Sequence, residues 1–293
     1  MIFDQTFIAI RKRNIFEILD LSIHVIWNYC LPLSFLLLLN VLPFFILDWL
    51  LFRWMVSGLM ASEYAPLYLW LTLLMVVSQA QLGTMFITCY LGRALFQGRP
   101  SIRETILASL QALPQIFWVH GILRTIIPAI LLGLFLSQTA SPAVVSLLTL
   151  VVLVGLIVRS VRPFATEMLL LEKNPLRSKN QTDINYGTRS SALHNVAFSI
   201  NFGRFLLIGL LSLPLAFVFY ASLLLVDKSV NLHIDPDTTL VTFYWPASLW
   251  IVAGLMAVVR FLSYIDIRIR QEGWAVELRI RAEAIRLNKN MET

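Results

Sequence analysis

Long apolar stretches alternate along this chain with shorter segments that carry nearly all of its charge. Leu31–Leu47 (LPLSFLLLLNVLPFFIL) and Val144–Val158 (VVSLLTLVVLVGLIV) contain no charged residue. A hydrocarbon core about 30 Å thick takes about 20 apolar residues, wound as helix, to cross. Stretches of that kind predict six spans, at 28–50, 65–90, 114–137, 143–165, 204–226 and 240–262. The fold class expected is therefore all-α: an integral membrane bundle of about six transmembrane helices over residues 1–263, followed by a basic tail helix over 264–293.

Amphipathic segments precede every second span: Asp4–Leu21, Ile102–Leu113 and Ile184–Ile200. Three short runs at the entries to these spans look alike, namely Ser22-Ile23-His24, Ser109-Leu110-Gln111 and Ala192-Leu193-His194. Each is followed, after 19, 17 and 20 positions, by a proline (Pro43, Pro128, Pro214) that opens an apolar run. The pattern suggests three copies of one unit, an interfacial helix leading into a helical hairpin. Interfaces between such repeats often hold the functional site of a membrane protein. Each proline removes a helical hydrogen bond and favours a kink, which serves either packing or a hinge.

Composition supports the membrane reading. The chain is 58% hydrophobic and 14% charged, with mean hydropathy +0.76, where soluble domains hold about 25% charged residues. The net charge of +6 would suggest a nucleic-acid partner, but its placement argues otherwise. Of 23 Lys and Arg, Arg53 and Lys228 lie on one side, Arg124 lies inside span three, and the remaining 20 lie on the other side, in the other set of connections, at the adjoining span ends (Arg159, Arg162, Arg204 and Arg260) and at the two termini. By the positive-inside rule both termini are expected in the cytoplasm, and the partners expected are the bilayer and its anionic headgroups. Arg11-Lys12-Arg13 interrupts an amphipathic stretch, which does not resemble a cleavable signal. The longest connection, 166–203, is too short for a soluble catalytic domain.

Candidate chemistry is sparse. Ionisable groups inside spans are functional candidates by default. His120 and Arg124 stand four apart on one face of span three, and span four brings Arg159, Arg162 and Glu167 towards the same end. Glu167 is placed to neutralise Arg124 or Arg162. The cluster His120, Arg124, Arg162 and Glu167 either binds an anion such as a lipid phosphate or is structural, with the arginines snorkelling to the headgroups. Asn40, Gln79 and Gln81 lie within spans, where they serve interhelical hydrogen bonds or a transport path. His24, His194 and His233 are scattered, and Cys30 and Cys89 sit in or beside apolar segments, so neither a metal site nor a disulfide framework is expected. No His-Glu-x-x-His, Gly-x-Ser-x-Gly or Walker A pattern occurs, and no catalytic residue or cofactor is assigned.

The tail, Tyr264–Leu287 (YIDIRIRQEGWAVELRIRAEAIRL), pairs charges at i,i+4 spacing: Asp266–Arg270, Arg268–Glu272, Glu277–Arg281 and Arg279–Glu283. Such pairs favour a helix. Wound at about 100° per residue, it carries two opposed apolar stripes. One holds Ile265, Ile269, Val276 and Ile280, and the other Ile267, Trp274 and Leu278. Two stripes suit a helix held between two surfaces, either headgroups and a partner or a neighbouring cytoplasmic helix. A basic helix lying on anionic lipid is the alternative. Candidate contacts are Ile265, Ile269, Trp274, Val276, Leu278 and Ile280. Gly273 would reset the phase if the helix breaks there.

The tail, together with Arg162-Pro163-Phe164, Glu167 and Leu171-Glu172-Lys173-Asn174-Pro175, resembles a family of uncharacterised bacterial multi-span membrane proteins. These end in a Tyr-x-Asp-x-Arg-x-Arg-x-Glu-Gly-Trp segment and are loosely similar to the membrane domain of some glycerophosphodiester phosphodiesterases. The soluble phosphodiesterase domain has no counterpart here, so its catalysis is not implied. The resemblance implies a bacterial cytoplasmic membrane protein. The function expected is a non-enzymatic component or scaffold of a membrane assembly, with membrane-protein partners. The alternative is a transporter or lipid/anion-binding protein with a cavity between spans three and four.

Overall fold

A computed structural model describes residues 13–56, 61–97, 99–122, 126–136, 141–172, 185–231 and 238–271. Among these residues every regular element is helical: α1 (Ile15–Asn28), α2 (Cys30–Phe52), α3 (Ala61–Gly83), α4 (Met85–Gln97), α5 (Ile102–Ile116), α6 (Ile126–Leu136), α7 (Pro142–Val161), the short α8 (Ala165–Glu167), α9 (Tyr186–Val196), α10 (Phe198–Asn231) and α11 (Thr238–Gln271). Local chemistry sets several starts. Asn14 and Glu17 form a capping box ahead of α1, satisfying backbone donors that have no intrahelical acceptor. Asn185 accepts from the Thr188 amide at 2.8 Å to open α9, and Pro142, which lacks an amide, occupies the first position of α7.

Five helical stretches are long and apolar enough to cross a membrane: Cys30–Met55, Tyr64–Leu95, Pro142–Val161, Phe198–Asp227 and Val241–Gln271. The third predicted span, 114–137, is not one rod. Ile102–Gly121 and Ile126–Leu136 meet at 70°. The bend has local causes. Pro114 lies within α5, a π-turn occupies Phe117–Ile122, and Pro128 sits in the first turn of α6. Proline and π-turns are the usual sources of sharp kinks. The sixth predicted span also differs, because α11 runs unbroken from Thr238 to Gln271. The tail predicted from residue 264 therefore grows directly out of that span. In element order α1, α5 and α9 each lead into a pair of antiparallel helices.

The stretches Tyr64–Leu95 and Val241–Gln271 are mostly buried and form the centre of the bundle, whereas Phe198–Asp227 buries few of its residues. Large apolar side chains point outward from the peripheral helices, among them Leu38 and Leu42 on α2, Ile157 on α7, and Leu210 and Phe217 on α10. The central pair packs closely. A Cβ placed on Gly83 would lie 2.3 Å from the Trp250 ring, so glycine there sets the distance between α3 and α11. Polar residues tie α3 to α2. Asn40 donates to the Leu82 carbonyl at 2.8 Å and Gln79 donates to Asp48 Oδ1 at 2.9 Å, the interhelical bonding expected of polar residues within spans.

Candidate functional site

Four helices, α3, α7, α10 and α11, enclose a cavity of about 220 Å³. The helical repeat produces its walls, because residues three and four apart share a face. On α11 that face is Leu249, Val252, Ala253, Met256, Arg260 and Ser263, and on α10 it includes Asn201, Arg204, Phe205, Ile208 and Ser212. Most of the lining is apolar. The polar members are Gln81, Arg159, Asn201, Arg204, Ser212, Arg260 and Ser263. All but Ser212, which lies further along α10, come from the later parts of α3, α7 and α11 and from the start of α10, so the cavity is largely apolar along its body and most polar at one end.

The cations are held in place. Arg260 Nε donates to Glu167 Oε1 at 2.5 Å, and Glu167 is 0% exposed. Arg204 reaches Asp266 Oδ2 at 2.5 Å and the Ser263 carbonyl at 3.3 Å. Asp266 also accepts from Arg270 at 2.8 Å and from the Arg13 amide at 2.8 Å. Arg159 donates to the carbonyls of Val77 and Ser78 on α3. Against this ordered background several polar atoms stand out. Both side-chain atoms of Asn201, Arg260 Nη2 and Ser263 Oγ are buried and have no hydrogen-bond partner among the described residues. All three residues line the cavity. Buried polar groups are nearly always hydrogen-bonded, and each exception calls for an explanation.

The residues expected to form a site are only partly brought together. His120 is buried and lies 3.0 Å from Thr166 Oγ1, which donates to Gln81 Oε1 at 2.7 Å. Thr166 is the chain neighbour of Glu167, so His120 and Glu167 belong to adjoining networks. Among the described residues Glu167 pairs with Arg260. Arg162 is exposed at the end of α7 and does not line the cavity, and Arg124 lies outside the described residues. The cavity itself lies between the second, fourth, fifth and sixth spans, not between the third and fourth. The deciding residues, Asn201, Arg204 and Arg260, sit at span edges, where sequence alone reads the two arginines as headgroup cations and gives Asn201 no role. Their 3–4 spacing on the apolar faces of α10 and α11 was the available signal.

The described part of the tail is internal. Ile265, Ile267 and Ile269 are all buried, so the described members of both apolar stripes are covered by the chain's own helices. Ile265 and Ile269 therefore do not present an outward contact face. Trp274, Val276, Leu278 and Ile280 lie outside the described residues. Nearby, Glu172 receives Arg189 at 2.7 and 3.2 Å and the Tyr264 hydroxyl at 2.6 Å, with Arg268 at 3.6 Å. Burial alone would raise its pKa, but these donors and charges hold it below the ordinary carboxylate value. His194 stacks on Phe164 with centroids 5.7 Å apart, and its Nδ1 lies 2.7 Å from the Ser190 carbonyl. His24 is exposed beside Asp20. Among the described residues no three His, Cys, Asp or Glu side chains converge as metal ligands. Comparison with family models, curated proteins and solved structures finds no match to this chain.

Proposed function

We propose that the protein is a multi-pass membrane protein that binds an anionic amphiphile in the cavity between α3, α7, α10 and α11. The observation that carries this reading is the set of unpartnered buried polar atoms on Asn201, Arg260 and Ser263 at one end of an otherwise apolar cavity. An apolar chain fits against Leu73, Val76, Val252 and Met256, where burial of its methylenes is favourable at about 25 cal/mol per Å². A head with anionic oxygens accepts from Arg260 Nη2, Asn201 Nδ2 and Ser263 Oγ, and hydrogen bonds between guanidinium and anion are the strong class. The role is binding or carriage, not bond-making. The alternative, a scaffold that assembles through its tail, rests on residues beyond Gln271.

The apolar outer faces of α2, α7 and α10 support insertion in a bilayer. The bias of Lys and Arg supports cytoplasmic termini, so the polar end of the cavity faces the cytoplasmic leaflet. The family resemblance of the tail supports a bacterial cytoplasmic membrane. The recurring order of lead-in helix and hairpin supports three repeated units, with the cavity bounded by helices from all three.

Asn201→Leu separates binding from folding. Removing an amide that has no partner leaves stability unchanged or raises it by about 1 kcal/mol, as read from reversible unfolding in mixed micelles. Affinity for dodecyl phosphate falls about tenfold, which corresponds to about 1.4 kcal/mol of lost binding. A variant that is destabilised yet binds like the parent would mean that Asn201 is structural and that the cavity is not the site.

A further inference from the structure

Resting on the binding reading above, the donor and acceptor inventory of the cavity's polar end narrows the ligand further. Arg260 Nη2 offers only hydrogens. Asn201 offers a donor at Nδ2 and an acceptor at Oδ1, and Ser263 Oγ serves as either. Since both amide atoms of Asn201 lack partners, the requirement is the same whichever way the amide is turned. A carboxylate or a bare phosphate dianion brings acceptors alone. It satisfies Arg260, Asn201 Nδ2 and Ser263 but leaves Asn201 Oδ1 facing another acceptor, and Asn201 is 1% exposed. A buried acceptor left unsatisfied opposes binding, and sites built to hydrogen-bond a substrate hydroxyl reject analogues without one.

The missing donor is an O–H or an N–H. Arg159, Arg204 and Arg260 all line the same end, and the carboxylates nearest them, Asp266 and Glu167, already hold Arg204 and Arg260. A ligand ammonium placed there would meet guanidinium groups, and like charges at close range repel. A neutral hydroxyl carries no such penalty. We infer that the ligand is an amphiphile whose phosphate head also bears a hydroxyl group, that Arg260 takes the phosphate oxygens, and that Asn201 is the specificity-determining residue for the hydroxyl.

The test uses the full chain in phosphatidylcholine nanodiscs and probes of matched chain length: laurate, dodecyl phosphate, and dodecyl phosphodiesters whose second ester carries glycerol or ethanolamine. The glycerol-bearing probe is expected to bind about tenfold more tightly than dodecyl phosphate and more tightly than the ethanolamine-bearing one. That preference is expected to disappear in Asn201→Leu and to persist in Ser263→Ala, which retains the Asn201 amide. Glycerol 3-phosphate without a chain is expected to displace none of them. Equal binding of dodecyl phosphate and the glycerol-bearing probe by the parent would overturn the hydroxyl inference while leaving the amphiphile reading standing. An ethanolamine-bearing probe that binds as tightly as the glycerol-bearing one would overturn the choice of hydroxyl over ammonium. Failure of every probe to bind, or displacement by glycerol 3-phosphate, would overturn the amphiphile reading, and this inference with it.

Discussion

Glu167→Ala lowers the stability of the folded protein by about 3–5 kcal/mol, the usual consequence of removing one partner of a buried ion pair. Glu167 is fully buried on α8, and Arg260 Nε lies 2.5 Å from its Oε1. Burying either charge alone is unfavourable, because lost hydration is recovered only through the partner. Truncating the carboxylate leaves the Arg260 guanidinium, 15% exposed, in a site with reduced access to water. Replacing both residues together behaves differently. A Glu167→Leu, Arg260→Met double variant recovers most of the loss, since apolar groups of similar volume often replace a buried pair without penalty. Equilibrium unfolding in mixed micelles, followed by helical circular dichroism, reads both effects. The double variant is also expected to lose affinity for anionic amphiphiles, because it removes Arg260 from the cavity wall. Stability and binding then change in different proportions, which separates the structural role of the pair from its role at the site.

The next largest effect falls at the contact between α3 and α11. Gly83→Ala costs about 1–3 kcal/mol, the range for overpacking a well-filled interior. Its new Cβ would meet Trp250 Cζ3 at 2.3 Å and Cη2 at 2.6 Å. Trp250 is 2% exposed and stacks on Phe44 with centroids 6.0 Å apart, so the rigid indole has little room to retreat. Gly133→Ala provides the matched comparison. There the added Cβ would meet Met75 Cε at 2.3 Å, but a thioether chain rotates aside easily. The gain in helix propensity of about 1 kcal/mol from glycine to alanine makes that change close to neutral. Similar losses at both positions would show that the distinction between rigid and flexible neighbours fails here.

The helical fold was legible because its signal is strong and local. A run such as Leu31–Leu47 has one reading as a long apolar helix, and the element order followed from counting such runs. For the third span a proline kink was legible, but its 70° angle was not, because hydropathy carries no direction. Pro114, Gly121 and Pro128 each permit a bend, and their combined effect depends on how α5 and α6 pack. The candidate site was less legible. His120 and Glu167 were singled out because they are ionisable and near one another in span order, and both are buried in adjoining polar networks. Asn201, Arg204 and Arg260 were passed over as surface cations or unremarkable polar residues, since the antiparallel pairing of α10 with α11 that joins them is a tertiary fact. Asp48 was overlooked because the apolar run around it masks a single carboxylate, which the structure pairs with Gln79. Of the two-sided tail wheel, the described residues include Ile265, Ile267 and Ile269, all buried against the chain's own helices, and the rest lies beyond Gln271.

Two glycines on α10 provide the controls for the decisive measurement. A Cβ on Gly209 or on Gly203 meets no atom within 4 Å, so a side chain starts in open space at either position. Gly209 lines the cavity and Gly203 does not. The measurement is to extract the full chain from its native bilayer in polymer-bounded discs and to quantify, by native mass spectrometry, the amphiphiles that remain bound. The parent and Gly203→Trp are expected to retain about one phosphate-bearing amphiphile per chain, and Gly209→Trp is expected to lose it. Retention by Gly209→Trp at the parent level, or no bound amphiphile in the parent, would contradict the account.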